Sequence, residues 1–327
     1  MAALNPPSAF PMEMDKYPGR IWVVAHKPVA VAAGLGQMGL HRCVIHPVFG
    51  SFIVLGTVLV GRDVASQARA IDYNPCVECK LCVAACPVGA IGADGHFDFS
   101  ACATHNYREF MNGFTDWVST IADSKDGRDY RRRVPAGESA SMWQSLSFEA
   151  NYKAAYCVAA CPAGDEVIGP FLDDRKGFLE QVVDPLKAKE EPVYVVPGSD
   201  AEAHVARRFP WKRIRRVRGL AATSIRGFLF GLRLTFQRGA SKGLSAVYHF
   251  AFTGREPADA TVTIRDGKLE VSDGHVGAAD LRITADGDAW LGVLSGDRSL
   301  LGALVRREIR VRGPIRLLKA FGKCFPR

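Results

Sequence analysis

Asn74-Pro75-Cys76-Val77-Glu78-Cys79-Lys80-Leu81-Cys82-Val83-Ala84-Ala85-Cys86-Pro87 decides the reading of this chain. Its four cysteines fall in a C-x2-C-x2-C-x3-C-P run. Spacing this close turns three thiolates inward onto one cubane of iron and sulfide. The fourth, expected at the start of a helical turn, points to a different cluster. The proline after it fixes φ and needs no donor. Thiolates are soft ligands, and four around a small volume favour iron–sulfur clusters or zinc. A zinc knuckle or a disulfide pair is the plainer alternative. Zinc ribbons carry two separated C-x2-C pairs, not one tight run closed by proline. The run therefore predicts a [4Fe-4S] cluster.

A second set of cysteines follows: Cys102, Cys157 and Cys161, the last again followed by proline, Pro162. The swapped-ligand scheme of two-cluster ferredoxins assigns Cys76, Cys79, Cys82 and Cys161 to one cluster. Cys86, Cys102 and Cys157 remain for a second. A complete second motif would place a cysteine at position 154, where the chain has Ala154. Three readings stay open there: a [3Fe-4S] cluster, a [4Fe-4S] cluster with an oxygen, nitrogen or external ligand, or no cluster. His105, Asn151 and Tyr156 are near in sequence, and the sequence does not choose among them.

With 327 residues, 48% of them hydrophobic, the chain can bury about two cores. Nine cysteines in a small secreted chain would suggest disulfides. This chain is not small, and Met1–Pro18 shows neither an apolar leader core nor twin arginines. The expectation is a cytoplasmic protein with reduced thiols. The apolar runs near Val29–Leu35 and Phe52–Val60 are too short to span a bilayer.

Residues 1–19 read as a flexible, proline-rich arm, and Ile21–Ala25 as a short buried strand. Gly34, Gly36 and Gly39 spell the G-x-G-x-x-G dinucleotide fingerprint, with Asp63 further on. That fingerprint needs a long helix behind it, and His46-Pro47-Val48-Phe49-Gly50 interrupts one. The segments Lys27–Gly36 and Ile45–Ser51, followed by the cysteine run, resemble the cobalamin-dependent epoxyqueuosine reductases and reductive dehalogenases. The resemblance covers roughly residues 20–172. It implies a two-cluster ferredoxin-like module, and a glycine segment beside a corrinoid, with Gly34, Gly36, Gly39 and His46 as its cofactor-facing residues. The interval from Cys86 to Cys102 also matches that family's spacing. The family's larger N-terminal corrinoid and substrate region has no counterpart here. The resemblance thus implies electron transfer, leaves cobalamin open, and does not extend to dehalogenation.

Asn106–Tyr156, with Trp117, Trp143 and the run Arg131-Arg132-Arg133, reads as helices covering the clusters. The run is read as a solvated face before an acidic partner's site. Residues 173–222 read as a linker and basic segment. Between Ala206 and Gly239 arginine and lysine recur with no acidic residue, interleaved with Phe228, Leu229, Phe230 and Leu232. That pattern suits a basic amphipathic helix on an anionic membrane surface. Its plainer reading is a helix docked on the next domain. No nucleic-acid motif accompanies it, and no nucleic-acid partner is expected.

The stretch from Ser241 onward alternates as an α+β domain. Ala246–Gly254, Thr261–Arg265, Leu269–Val271, Leu281–Ala285 and Ile309–Gly313 read as strands, Asp266-Gly267 as a turn, and Asp286 as a helix cap. Gly243–Phe250, Ala279–Ile283 and Ile309–Pro314 resemble the sterol carrier protein 2 domain, over residues 223–327. The resemblance implies an apolar tunnel for an acyl chain or sterol. The alternative is a tunnel filled by its own side chains. His26 and His46 read as buried histidines before cobalt ligands or proton shuttles, and Cys43 and Cys324 as packed thiols.

The combined expectation is an iron–sulfur electron-transfer protein of α+β class with a fused lipid- or sterol-binding domain, serving a partner oxidoreductase. Two rivals stand beside it. One is a cobalamin-dependent reductase completed by another subunit. The other is a lipid-transfer or membrane-docking module with a structural cluster.

Overall fold

Glycine and proline break the first third of the chain into short pieces. The computed structural model describes residues 3–4, 12–13, 20–21, 24–63, 68–76, 79–109, 114–137, 139–140, 155–220 and 222–327. Trp143, Asn151 and Ala154 lie outside them. Helix α1 (His26–Ala32) leads into a hairpin of β1 (Gln37–Met38) and β2 (Val44–Ile45). Of the strand expected over Ile21–Ala25, Ile21 is in a strand, Arg20–Ile21, paired with Met12–Glu13; Trp22 and Val23 lie outside the described residues, and Ala25 precedes α1. Within the expected arm, Ala3–Leu4 pairs with Leu59–Val60. Helix α2 (Leu81–Ala85) carries the middle of the cysteine run, and α3 (Phe99–Glu109) follows it. Helix α4 (Tyr156–Ala159) packs against α2.

Residues 173–222, expected as a linker, hold ordered elements. Helical turns run over 175–188. Strand β3 (Val193–Val195), helix α5 (Asp200–Arg208) and strand β4 (Ile214–Arg216) form a parallel crossover unit. Val193, Val195, Ala201, Val205 and Phe209 are buried against Val88, Ala90, Ile91 and Ala101, next to Cys82 and Cys86. Ser199 caps α5 by accepting from the Glu202 N–H, and Glu202 reaches back to accept from the Gly198 N–H at 2.7 Å. This S-x-x-E arrangement satisfies donors that a helix start leaves open.

The Arg131–Arg133 run takes its plainer role. Asp129, buried in the helix Gly127–Arg133, holds Arg132 and Arg133 at 3.0 and 2.7 Å. The arginine-rich stretch 206–239 is not one amphipathic helix. It passes through the end of α5, strand β4 and helix α6 (Ile225–Thr235). Arg216 pairs with Glu202, and Arg238 with Asp94. Phe228 and Leu232, expected on a lipid-facing side, are buried in the domain core instead. No helix among the described residues is long and apolar enough to cross a membrane.

Alternation decides the C-terminal half. Strands β5 (Ser245–Thr253), β6 (Ala258–Arg265), β7 (Lys268–Asp273), β8 (Leu281–Asp286) and β9 (Ile309–Arg312) form one sheet in the order β7-β6-β5-β8-β9. All neighbours run antiparallel except β5 and β8. Tyr248, Phe250 and Phe252 point to one face of β5, as the two-residue period requires. Asp266 and Gly267 both have positive φ, 41° and 81°, the two-residue hairpin geometry that matches strand twist. Helices α7 (Gly287–Ser295), α8 (Leu300–Val305) and α9 (Ile315–Cys324) complete the half. Asp286 caps α7 by accepting from the Ala289 N–H at 3.0 Å.

Aromatic rings fill the space between this sheet and its helices. Phe228 lies 5.9, 6.0 and 5.5 Å from Phe250, Phe252 and Trp290, and Phe250 lies 5.3 Å from Phe321. Each such pair contributes about 0.5–1.5 kcal/mol beyond its buried area.

One glutamine joins the halves. Gln237, buried, accepts from the Asp200 N–H at 2.7 Å through Oε1, while its own N–H donates to the Cys324 carbonyl at 2.9 Å. Asp200 in turn accepts from the Gly239 N–H. The first residue of α5 is thus tied to the end of α9.

Candidate metal centre

The cysteine run is bent into a pocket by its own backbone. Asn74 Oδ1 accepts from the Cys76 N–H at 3.1 Å, a local turn that starts the loop. Lys80 adopts a left-handed φ of 53° and lets α2 begin at Leu81. Cys82 then sits inside α2, and Cys86 closes it at the C-terminal end. The expectation that the fourth cysteine starts a helical turn is therefore corrected. Cys82 and Cys86 are four apart on one short helix, and the extended backbone at Cys86 ends it.

Cys161 arrives from far along the chain. Its following loop interlocks with residues 46–50. The Asp165 and Glu166 N–H groups donate to the Pro47 and Val48 carbonyls at 2.8 and 3.0 Å. Gly50, at φ 63°, passes so close that a Cβ there would lie 1.9 Å from the Ala163 carbonyl oxygen. Only glycine fits that seat.

Cys76, Cys79, Cys82 and Cys161 line one cavity of about 130 Å³, together with Leu40, His41, Ile45, Pro75, Lys80 and Ala163. Burial, then repulsion from Cys161, Cys79 and Cys76, pushes the Cys82 thiol up to about 12. These four thiols ring a space; among the described residues no three His, Cys, Asp or Glu side chains converge on a single-ion site. His41 also lines the cavity. Its Nδ1 accepts from the Cys43 N–H at 3.1 Å, which puts the ring proton on Nε2. Burial, then Lys27, holds His41 down at about 4, so the ring is neutral. Its Nε2 is buried without a hydrogen-bond partner among the described residues. A ring that lines a thiol cavity and carries an orphaned donor fits a group with sulfide acceptors. Leu40 adds a backbone N–H to Cys76 Sγ at 3.4 Å.

The second set lies beside the first. Cys86, Cys102 and Cys157 pack in one apolar cluster with Cys82 and Leu40. Cys86 is fully buried; its thiol is pushed up by burial and its Sγ accepts from the Ala90 N–H at 3.3 Å. Burial, then Cys86, pushes Cys102 up to about 12, and Asn106 donates to its Sγ at 3.1 Å. Two of the neighbours considered as further ligands are engaged elsewhere. His105 Nδ1 accepts from the Tyr194 N–H, and the Tyr156 hydroxyl donates to Glu191.

The glycine segment lies outside this cavity and against its own chain. A Cβ on Gly34 would meet the Arg69 carbonyl at 2.4 Å, and one on Gly36 the Ile45 carbonyl at 2.2 Å. A Cβ on Gly39 would meet the Ile45 side chain at 2.6 Å. His46 Nδ1 accepts from the Val48 and Phe49 N–H groups, and its ring stacks on Phe49. His26 contacts the Thr57 hydroxyl at 2.7 Å. Cys324 is a packed thiol of the C-terminal core.

Comparison with known proteins separates the two halves. Residues 69–92 match the 4Fe-4S binding domain, and residues 233–326 match the SCP-2 sterol transfer family. The chain joins a 4Fe-4S binding region to an SCP2 domain. It is also similar to epoxyqueuosine reductases. The Vibrio cholerae protein is 33% identical over 82 residues, 25% of this chain and 22% of that one. The Gloeobacter violaceus protein is 32% identical over 104 residues, 32% of this chain and 31% of that one. The chain therefore spans less than a third of the length of either relative. Among solved structures, sterol carrier protein 2 like 2 from Aedes aegypti aligns at TM-score 0.22 and 16% identity, covering 25% of this chain and 75% of that one. The palmitated form of SCP2L2 from the same species aligns at 0.25 and 18%, covering 31% and 93%.

Proposed function

We propose that this protein is an iron–sulfur electron carrier with a lipid- or sterol-binding domain attached. Cys76, Cys79, Cys82 and Cys161 hold a [4Fe-4S] cluster; Cys86, Cys102 and Cys157 belong to a second. The observation that carries this reading is the cavity lined by the first four thiols and by His41, whose buried Nε2 has no partner among the described residues. Such clusters supply one-electron chemistry at a potential set by burial and by hydrogen bonds to sulfur. This chain's contribution is to bury Cys82 and Cys161, to aim the Leu40 N–H at Cys76 Sγ, and to line the site with His41, Ile45 and Ala163. The recipient is a partner oxidoreductase acting on an apolar substrate.

Anaerobic purification with iron, sulfide and cobalt analysis tests the carrier reading. Iron and sulfide without cobalt, with a reversible EPR signal on reduction, is the expected result. Stoichiometric zinc without sulfide overturns it.

The SCP2 half is proposed to take an oxygen-bearing apolar ligand. Trp290 Nε1 is buried in its core without a partner among the described residues, and an entering hydroxyl or carboxyl oxygen would accept from it. Entry requires the aromatic cluster to part. Titrating the full chain with fatty acyl and sterol probes should quench Trp290 fluorescence. A chain that takes up neither keeps this half as a docking module.

A second reading rests on a different observation. Phe52, Val54 and Val58 stand exposed on one segment, as a surface covered by another subunit would. That is the arrangement of a reductase completed by a partner. Cobalt bound in stoichiometric amount would favour it over the carrier.

A further inference from the structure

We propose that Cys43 is the fourth thiolate of the second cluster. The inference rests on the reading that Cys86, Cys102 and Cys157 hold such a cluster. Those three leave one position open, and Ala154, where the motif would supply a cysteine, has no donor atom. His105 and Tyr156 direct polar atoms to Tyr194 and Glu191 instead.

Cys43 ends the loop of the β1–β2 hairpin, and that loop is clamped from several sides. The Gly39 N–H donates to the Cys43 carbonyl at 3.0 Å, and the Cys43 N–H donates to His41 Nδ1. Leu40 ties the loop to the first thiol set through Cys76 Sγ. The Leu40 side chain packs in the apolar cluster that contains Cys86, Cys102 and Cys157. Arg42 pins the far side, donating to the Gly95 carbonyl at 2.9 Å and lying over the Phe97 ring. The loop is therefore wedged against both thiol sets, and Cys43 is its last residue before β2.

A cation faces the same sulfur. Lys27 Nζ donates to Cys43 Sγ at 3.7 Å. A lysine beside a thiol favours its thiolate form, the form that ligates iron.

A packed thiol would look different. Cys324 is fully buried among Tyr248, Phe321 and their neighbours in the C-terminal core. Cys43 is half-exposed and belongs to none of the apolar clusters among the described residues. On ligation the Cys43 S–H bond is replaced by sulfur–iron, and its proton leaves to solvent. The iron and sulfide come from the assembly mixture, and no electron is transferred in the step.

The test uses the full chain, reconstituted anaerobically with ferric iron, sulfide and dithiothreitol, the thiol reducing part of the iron. Native chain should hold two clusters. Cys43→Ala should lose either about one iron per chain, leaving a three-iron EPR signal after oxidation with ferricyanide, or about four, the whole second cluster, while Cys324→Ala should lose none. A native chain with iron for one cluster only would sink the second-cluster reading itself. Two intact clusters with unchanged EPR in Cys43→Ala would overturn the role of Cys43 and leave that reading standing. Should Cys43→Ala fail to fold, alkylation of the native chain decides. Cys43 should resist iodoacetamide in the loaded chain and react after the metal is stripped; equal labelling in both states overturns the proposal.

Discussion

The thiol-bearing half and the sheet-bearing half are held together by different physics. In the first, strands run two or three residues and α2 only five, and the centre is a cavity lined with sulfur. In the second, β5 alone runs nine residues, and the centre is a packed set of rings. Short elements cannot bury enough apolar area to offset the entropy of ordering them. On the proposed reading, the first half is expected to draw part of its stability from ligation, as metal-coupled folds do. The second closes its core with its own side chains.

That contrast is open to attack at several places. The largest effect is expected from Cys79→Ala. Losing one thiolate of the first set should empty or convert that cluster and abolish the thermal transition of the first half, while the SCP2 transition survives. Iron analysis and circular dichroism report the two separately. If both halves unfold together, the contrast is wrong.

Phe250→Ala attacks the other side. It removes a ring that touches Phe228, Trp290 and Phe321, and should cost about 3–5 kcal/mol in the SCP2 transition. Iron content should not change. Iron loss in this variant would mean that the halves share one stability.

Gln237→Ala sharpens the comparison at the seam. It leaves the Asp200 N–H without its acceptor in a buried place, a cost of about 1–3 kcal/mol. The two melting transitions should move apart, read by calorimetry. Unchanged transitions would mean that the glutamine couples nothing.

The smallest effect is a pH dependence. The Gly198 N–H, with the Arg216 guanidinium, holds the Glu202 carboxyl below its ordinary value of 4.5. A lowered carboxylate contributes stability above that value and loses it as pH falls through the lower folded value. Glu202→Gln should thus cost about 0.5–1 kcal/mol at neutral pH and nothing at pH values below the folded one. A loss that persists in acid would assign the effect to packing.

Legibility in the sequence followed the same division. The strands of the second half were readable because Tyr248, Phe250 and Phe252 alternate, and because Asp266-Gly267 fits one turn type. The cysteine run was readable because ligand spacing is local. The β3–α5–β4 unit was not, because its strands have three residues each and stand among charges. Its one local signal was the Ser199–Glu202 capping box. The arginine-rich stretch misled because charge pattern ignores chain breaks, and Pro210 and Gly219 divide it. Phe228 looked lipid-facing only because the sheet it covers is remote in sequence. Cys43 carried no spacing signal at all; its proposed role depends on a hairpin folding back toward cysteines remote in sequence.

The proposed first ligand set also has an order in time. Cys76, Cys79 and Cys82 leave the ribosome together, but Cys161 leaves only after the whole stretch from Val83 to Ala160 has been added. At roughly 5–20 residues per second that takes roughly 4–16 s. Throughout that interval three thiols face solvent without their fourth, and the Gly50 loop waits for the segment that locks against it. A nascent chain arrested before Cys161 offers a site that can capture iron or zinc but cannot close over it. Cluster completion is consequently a late event in the life of each molecule, gated by synthesis of the second Cys-Pro pair.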